Sequence, residues 1–110
     1  MARRDTGFPK HVRRQIEDRA AGSCERCGMS APAYQLHHRR PRGMGGSTAA
    51  ETNGASNGLC VCVSCHTDIE ANREDSLKYG WLVRQGQNPM EVSVLRKGMW
   101  VRLADDGWMH

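Results

Sequence analysis

The chain has 110 residues, of which 38% are hydrophobic, and a formal net charge of +4. This length allows one domain with a modest core, for which a structural metal ion is a common additional stabiliser. No apolar run is long enough for a signal peptide or a membrane span, so we expect a cytoplasmic protein without a membrane partner.

The charge is unevenly distributed along the chain. Residues 1–66 contain ten Lys or Arg and five acidic residues, whereas residues 67–110 contain six and seven. All five cysteines also lie in the basic half. Basic residues beside metal-binding side chains indicate a polyanionic partner such as DNA.

The N-terminal region predicts one helix. Residues 1–8 are expected to be flexible, and Pro9 suits the first turn of a helix that ends before Gly22. Its apolar residues recur every four positions and are Val12, Ile16 and Ala20. The arginines off this stripe, which can face solvent or DNA, are Arg13, Arg14 and Arg19.

Two Cys-x-x-Cys pairs of identical spacing form the strongest motif. Their cysteines are Cys24, Cys27, Cys62 and Cys65. Two thiolates separated by two residues can bind one metal ion, and zinc takes four ligands in a tetrahedron, so we predict a structural zinc ion here. Cys60 lies outside this spacing and is expected to be a small buried hydrophobic residue. An iron–sulfur centre, redox pairs and ligation by Cys60 in place of Cys62 are the alternatives.

The segments around the cysteine pairs predict an α+β fold. Residues 34–37 and 59–62 favour β-strands, and residues 64–72 favour a helix that begins at the second cysteine pair. Residues 42–58 are rich in glycine and are predicted to form a loop. Long loops in small domains are often functional.

The C-terminal part is predicted to be a β-rich appendage. Residues 92–95 and 99–103 favour strands, and Asp106-Gly107 favours a turn. We therefore expect three parts, namely a flexible N-terminus, a core with the cysteine pairs, and an appendage of the same domain. Their boundaries are 1–8, 9–73 and 74–110.

Two adjacent histidines, His37 and His38, lie between the cysteine pairs at the end of the first predicted strand. Successive side chains of a strand point to opposite faces, so one histidine can bind a metal ion while the other acts beside it. Asn57 and His66 follow downstream. This combination favours a functional role over that of isolated core or surface histidines.

These residues resemble the motifs of the HNH endonuclease family. Residues 36–41 are similar to the first motif and residues 57–66 to the second. The resemblance is specific over residues 24–66 and looser over residues 9–23 and 67–110. It implies a small ββα-metal finger (His-Me finger), with two strands and a helix around a divalent ion, here with an N-terminal helix and zinc knuckles.

The resemblance also implies roles for individual residues. His37 and His66 would bind a catalytic divalent ion, His38 would be the general base, and Asn57 would hold the loop that orients His38. The neighbouring arginines are expected to contact DNA phosphates and are Arg39, Arg40 and Arg42.

The identity of the catalytic ion follows less directly from the sequence. Many members of the family have Asp where His37 stands. Two neutral imidazoles suit Mn, Ni, Co or Zn better than Mg. A histidine that titrates near neutrality can accept a proton from water, and a metal ion with open positions can stabilise the leaving oxygen.

The sequence therefore predicts a metal-dependent HNH endonuclease that nicks or cleaves DNA with low sequence specificity. Residues 42–47 are similar to bacteriophage versions, which implies a phage protein that acts with the terminase in genome packaging, in the host cytoplasm. A monomer is favoured. The alternatives are a non-catalytic zinc-ribbon DNA-binding protein, a site-specific restriction or homing nuclease, and a zinc module for protein interactions.

Overall fold

The computed structural model describes residues 7–41 and 53–110 of the chain. Over these residues the protein is a small α+β fold with two two-stranded antiparallel sheets. Its helices and strands in chain order are α1 (Lys10–Ala20), β1 (Tyr34–His38), β2 (Gly58–Cys62), α2 (Val63–Ala71), α3 (Arg73–Lys78), β3 (Val94–Arg96) and β4 (Met99–Val101). None of the helices in these two ranges combines the length and the apolar character that a bilayer crossing requires.

Helix α1 forms where the apolar stripe predicts it. The stripe residues Val12, Ile16 and Ala20 are buried. The helix ends at Ala20, and the following Ala21 adopts a left-handed conformation with φ 56° and donates its N–H to the Glu17 carbonyl. Gly22 comes next with φ 85°, so the helix ends before this glycine, as the sequence predicts.

Two expectations for the N-terminal region are wrong. Phe8, which was assigned to the flexible N-terminus, is buried because it packs with α1 and stacks on His38. Arg19 does not face solvent or DNA, because its guanidinium donates to the buried Glu25 carboxylate at 2.6 and 2.9 Å. Residues 1–6 lie outside the described part of the chain.

Strands β1 and β2 form the central sheet, with a register from Tyr34 opposite Cys62 to His38 opposite Gly58. Strand β2 separates two hydrophobic clusters, because its alternate residues point to opposite faces. Cys60 is 6% exposed and lies in the cluster with α1, so the expectation of a small buried hydrophobic residue is confirmed.

Gly58 allows α1 to pack closely on this sheet. A Cβ atom at this position would overlap the Ile16 and Phe8 side chains. The close packing matters for the site, because it brings the N-terminal segment against the end of β1, where the histidine pair lies.

Helix α2 begins directly after β2, so the second cysteine pair spans the strand–helix junction. Helix α3 follows α2 after Asn72 and is not among the predicted elements. Its packing depends on the buried Ser76 hydroxyl, whose one proton is shared between the carbonyl oxygens of Ile69 and Asn72, at 3.0 and 2.8 Å from Oγ. These contacts fold α3 back on α2.

Strands β3 and β4 form the second sheet, and their turn at Lys97 and Gly98 has positive φ angles of 49° and 84°. This geometry is that of a tight hairpin turn. A further bridge joins Leu103 to Met109, with Gly107 in the turn between them, where the sequence predicts one.

The C-terminal sheet is tied to the first cysteine pair by a buried carboxylate. Glu25 accepts from Arg96 Nε at 2.7 Å and from the Cys60 backbone N–H at 3.0 Å, in addition to Arg19. Burial acts to raise the pKa of Glu25, but the two arginines lower it below its usual value. The carboxylate therefore remains ionised and joins α1, β2 and β3.

Candidate metal centres

The four cysteines of the two Cys-x-x-Cys pairs lie together. Their Sγ atoms are all within 4.8 Å of one another, as the sequence predicts. Tetrahedral zinc, with Zn–S bonds of about 2.3 Å, needs sulfur atoms roughly 3.8 Å apart, so small side-chain rotations suffice. The cysteine group can hold a metal ion such as zinc.

Hydrogen bonds favour the thiolate form of Cys24, which is the form that a metal ion binds. The backbone N–H groups of Arg26 and Cys27 donate to Cys24 Sγ at 3.4 and 3.5 Å. Burial acts to raise the pKa of Cys24, but these N–H groups and that of Cys62 lower it to about 7. Burial raises the pKa of Cys65 to about 12, although the Arg26 guanidinium donates to its Sγ at 3.3 Å and acts to lower the pKa of that thiol.

A second group of side chains that could bind a metal ion lies between β1 and α2. It consists of His37, His66 and Glu70, each with one donor atom within 4.8 Å of the others. Glu70 Oε2 lies 3.9 Å from His37 Nδ1 and 3.8 Å from His66 Nε2. His66 and Glu70 are four residues apart on one helix and therefore share a face.

His37 is oriented by a backbone carbonyl. It is 2% exposed, and its Nε2 lies 2.8 Å from the Trp81 carbonyl oxygen. Because a carbonyl only accepts, Nε2 carries the proton and Nδ1 presents its lone pair toward Glu70. Burial lowers the pKa of His37 to about 4, so the imidazole is neutral near pH 7. Metal-binding histidines typically donate their second nitrogen in this way.

Glu70 is the member of this group that the sequence interpretation missed. A signal was present, because Glu70 follows His66 by four residues in a segment already predicted to be helical. Its carboxylate adds a hard oxygen donor to two imidazoles. The full set therefore suits Mn or Mg better than two imidazoles alone would.

His38 points away from this group, as the alternation of a strand predicts. Its ring stacks on Phe8 with centroids 3.9 Å apart and planes 7° apart. Its Nε2 lies 3.4 Å from Oδ1 of Asn53, which belongs to the glycine-rich segment 42–58. The two adjacent histidines therefore have separate surroundings, one facing α2 and the other facing the N-terminal segment and residue 53.

Asn57 holds the backbone that follows the histidine pair. It is 0% exposed, its Oδ1 accepts from the Arg40 N–H at 2.6 Å, and its Nδ2 donates to the Arg40 carbonyl at 3.0 Å. Its own carbonyl accepts from the Arg39 N–H at 2.7 Å. These three bonds fix the peptide groups directly after His38.

The expectation that Arg39 and Arg40 contact DNA phosphates is wrong. Arg39 is 0% exposed, and its guanidinium donates to four backbone carbonyls, those of Ser56, Gly80, Pro89 and Val92. Arg40 is also buried, and its Nη1 donates to the carbonyls of Gln85 and Gln87. Arg42 lies outside the described residues.

Arg39→Met should lower the free energy of unfolding by about 3–5 kcal/mol, because four buried carbonyls lose a charged donor. Burial lowers the pKa of Arg39 only to about 9, so the guanidinium is charged at neutral pH. Urea denaturation checks the loss. Arg84→Met, at an exposed arginine, is the matched control and should leave the midpoint unchanged. Equal midpoints for both variants would contradict the structural role.

Comparison of the chain with protein-family models, with curated proteins and with solved structures found no significant match. The two candidate metal centres are therefore interpreted from their own geometry.

Proposed function

We propose that this protein is a metal-dependent HNH endonuclease that hydrolyses DNA phosphodiester bonds, by nicking or double-strand cleavage, with low sequence specificity. The arrangement of β1, β2 and α2 supports this proposal, because two antiparallel strands lead directly into a helix. The group of His37, His66 and Glu70 lies between strand and helix. We propose that this unit is a ββα-metal finger.

The observation that carries the proposal is the presence of two separate groups joined at adjacent residues of α2. Cys65 belongs to the four-thiol group and His66 to the histidine–carboxylate group. A zinc-ribbon binding module needs only the thiols. A buried imidazole fixed by a carbonyl, and directed at a second imidazole and a carboxylate, favours a catalytic ion over a purely structural zinc protein.

The thiol group and the histidine–carboxylate group would have different tasks. The four thiolates would hold zinc and fix the junction of β2 and α2. The three other donors would hold the divalent ion, which supplies Lewis-acid stabilisation of the scissile phosphate and the leaving oxygen. His37, His66 and Glu70 fit this ion because they offer two imidazole nitrogens and one carboxylate within one small space.

The general base in this proposal is His38, which would take the proton from the attacking water. Its side chain is held on one face by Phe8, and the backbone after it is held by Asn57. Asn57 would therefore be a positioning residue, because its side-chain amide binds both backbone groups of Arg40. Arg42 remains a proposed contact to DNA phosphate.

The biological setting is proposed from the family resemblance alone. That resemblance favours a phage protein that acts beside the terminase in genome packaging. A zinc-ribbon DNA-binding protein without activity is the main rival and shares the thiol group. The two proposals differ in whether the second group binds an ion that supports hydrolysis.

Metal add-back to stripped protein tests the proposal. Protein reconstituted with one zinc ion should nick supercoiled plasmid only after Mn, Ni, Co, Zn or Mg is added. His66→Ala should weaken binding of this second ion at least about 100-fold, because it removes a ligand. Isothermal titration and gel assays measure the two effects.

The matched control is His11→Ala, at an exposed histidine on α1, which should bind and cleave like the wild type. Failure of every ion to support cleavage would favour the binding module. A wild-type second-ion affinity in His66→Ala would remove the histidine–carboxylate group from the mechanism.

A further inference from the structure

The C-terminal segment reaches the turn that carries Asn57. Asp105 Oδ1 accepts from the Ser56 backbone N–H at 3.1 Å and from the Ser56 hydroxyl at 2.5 Å. Asp105 itself is exposed, whereas Ser56 is fully buried. One surface carboxylate therefore satisfies two donors of a buried residue that lies 49 positions earlier in the chain.

Ser56 belongs to the short 3₁₀ helix Ala55–Asn57, which begins after Gly54. The Gly54 carbonyl accepts from the Asn57 N–H at 3.0 Å, and Arg39 Nη1 donates to the Ser56 carbonyl at 2.8 Å. The turn is thus held from the interior by Arg39 and from the surface by Asp105. Its last residue, Asn57, binds both backbone groups of Arg40.

Gly54 fits closely against the Asp105 carboxylate. A Cβ atom at Gly54 would overlap the carboxylate carbon and Oδ1 of Asp105, so a larger residue there would push the carboxylate from its present position. The absence of a side chain at Gly54 therefore leaves the space that the Asp105 carboxylate occupies when it accepts from Ser56. Within residues 7–41 and 53–110, Asp105 is the only side chain that accepts a hydrogen bond from the Ser56 N–H or hydroxyl.

We propose that Asp105 is a positioning residue for the reaction, acting through Ser56 and Asn57 on the backbone that follows His38. The effect on the reaction rests on the proposed function, whereas the effect on the backbone after His38 can be measured without any activity. Asp105 anchors Ser56, Ser56 sets the direction of the Asn57 side chain, and Asn57 fixes the Arg40 peptide. Loss of the first contact leaves every proposed metal ligand and the base in the chain but loosens the loop that orients the base.

Asp105→Ala should lower kcat for plasmid nicking about 10- to 100-fold, the effect of a small misplacement of reacting groups, with KM for DNA unchanged. The Arg40 amide should also exchange its hydrogen at least about tenfold faster, because the Asn57 acceptor is less well held. Asp105→Asn keeps an acceptor oxygen toward Ser56 and should restore most of both properties. The melting temperature of Asp105→Ala should fall by a few degrees, because two buried donors of Ser56 lose their acceptor, and Asp105→Asn should restore it as well.

Asp106→Ala is the matched control, since Asp106 is also exposed but accepts from the Trp108 N–H within its own turn at 2.9 Å. It should keep the wild-type kcat and Arg40 exchange rate. Ser56→Ala removes one of the two bonds without changing Asp105 and should shift both readouts in the same direction by less.

The outcomes separate the two proposals. If the wild type does not cleave DNA with any ion, the proposed function fails, while exchange of the Arg40 amide still decides the role of Asp105. If Asp105→Ala keeps the wild-type Arg40 exchange rate and kcat, the positioning role is wrong. Equal losses in Asp105→Ala and Asp105→Asn, without restoration, would also overturn it.

Discussion

Cys27→Ser should unfold the domain although Cys27 is exposed to solvent. An exposed cysteine outside a metal site would tolerate this change, because serine has nearly the same size. Here Cys27 belongs to the four-thiol group. Structural zinc contributes about 10–16 kcal/mol in small zinc-binding peptides, which is comparable to the whole stability of about 5–15 kcal/mol of a small domain.

The fifth cysteine supplies the matched control. Cys60 is buried but outside the thiol group, so Cys60→Ala should cost only about 1 kcal/mol, the usual effect of a small core change. Burial alone predicts the opposite order, with the buried site more sensitive than the exposed one. The comparison therefore isolates the contribution of the metal ion.

Circular dichroism melting and measurement of bound zinc check this prediction. The wild type and Cys60→Ala should hold zinc and melt cooperatively, and a chelator should unfold both. Cys27→Ser should lose zinc and the cooperative transition. A Cys27→Ser protein with the wild-type melting temperature would remove the four thiols as the stabilising site.

The parts of this fold that were predictable from the sequence depend on short spacings. The two Cys-x-x-Cys pairs, the strands β1 and β2, and the helix α2 lie within continuous segments whose patterns predict them. Their assembly is also predictable, because two Cys-x-x-Cys pairs of identical spacing can supply the four thiols of one metal site. Helix α3 was not predictable from the sequence, because it has only six residues and depends on the contact of Ser76 with α2.

The role of Arg39 shows what sequence proximity cannot reveal. Its position beside His38 suggested a phosphate contact, but its guanidinium binds carbonyls that lie between 17 and 53 residues away. Backbone carbonyls carry no residue-type signal, so their convergence is invisible before folding. The same reason hid the Trp81 carbonyl, which orients His37.

The C-terminal segment contributes more to the candidate site than its sequence suggests. It was expected to complete the core as an appendage, yet Trp81 binds His37 and Asp105 binds Ser56. Both contacts cross the expected boundary at residue 73. Of the site residues that the sequence interpretation missed, Glu70 alone was detectable from a local pattern, because it follows His66 by four residues in a predicted helix.

His38→Ala should abolish plasmid nicking while leaving both metal centres intact. A general base contributes typically 10²–10⁴-fold to a rate, so nicking should fall by about this factor. The side chain points toward Phe8 rather than toward Glu70, so its removal takes no donor from the histidine–carboxylate group. Second-ion affinity, measured by titration, should stay at the wild-type value, with only a modest fall in melting temperature from the lost ring stacking.

The adjacent variant His37→Ala provides the decisive contrast. His37 and His38 are neighbours in one strand with opposite side-chain directions, so the two variants disturb the same backbone but different groups. His37→Ala should lose the second ion and nicking together, whereas His38→Ala should lose nicking alone. Nicking at the wild-type rate in His38→Ala would exclude it as the base. Loss of the second ion in both variants would instead mean that the histidines form one metal site, and that the proton acceptor lies elsewhere in the protein.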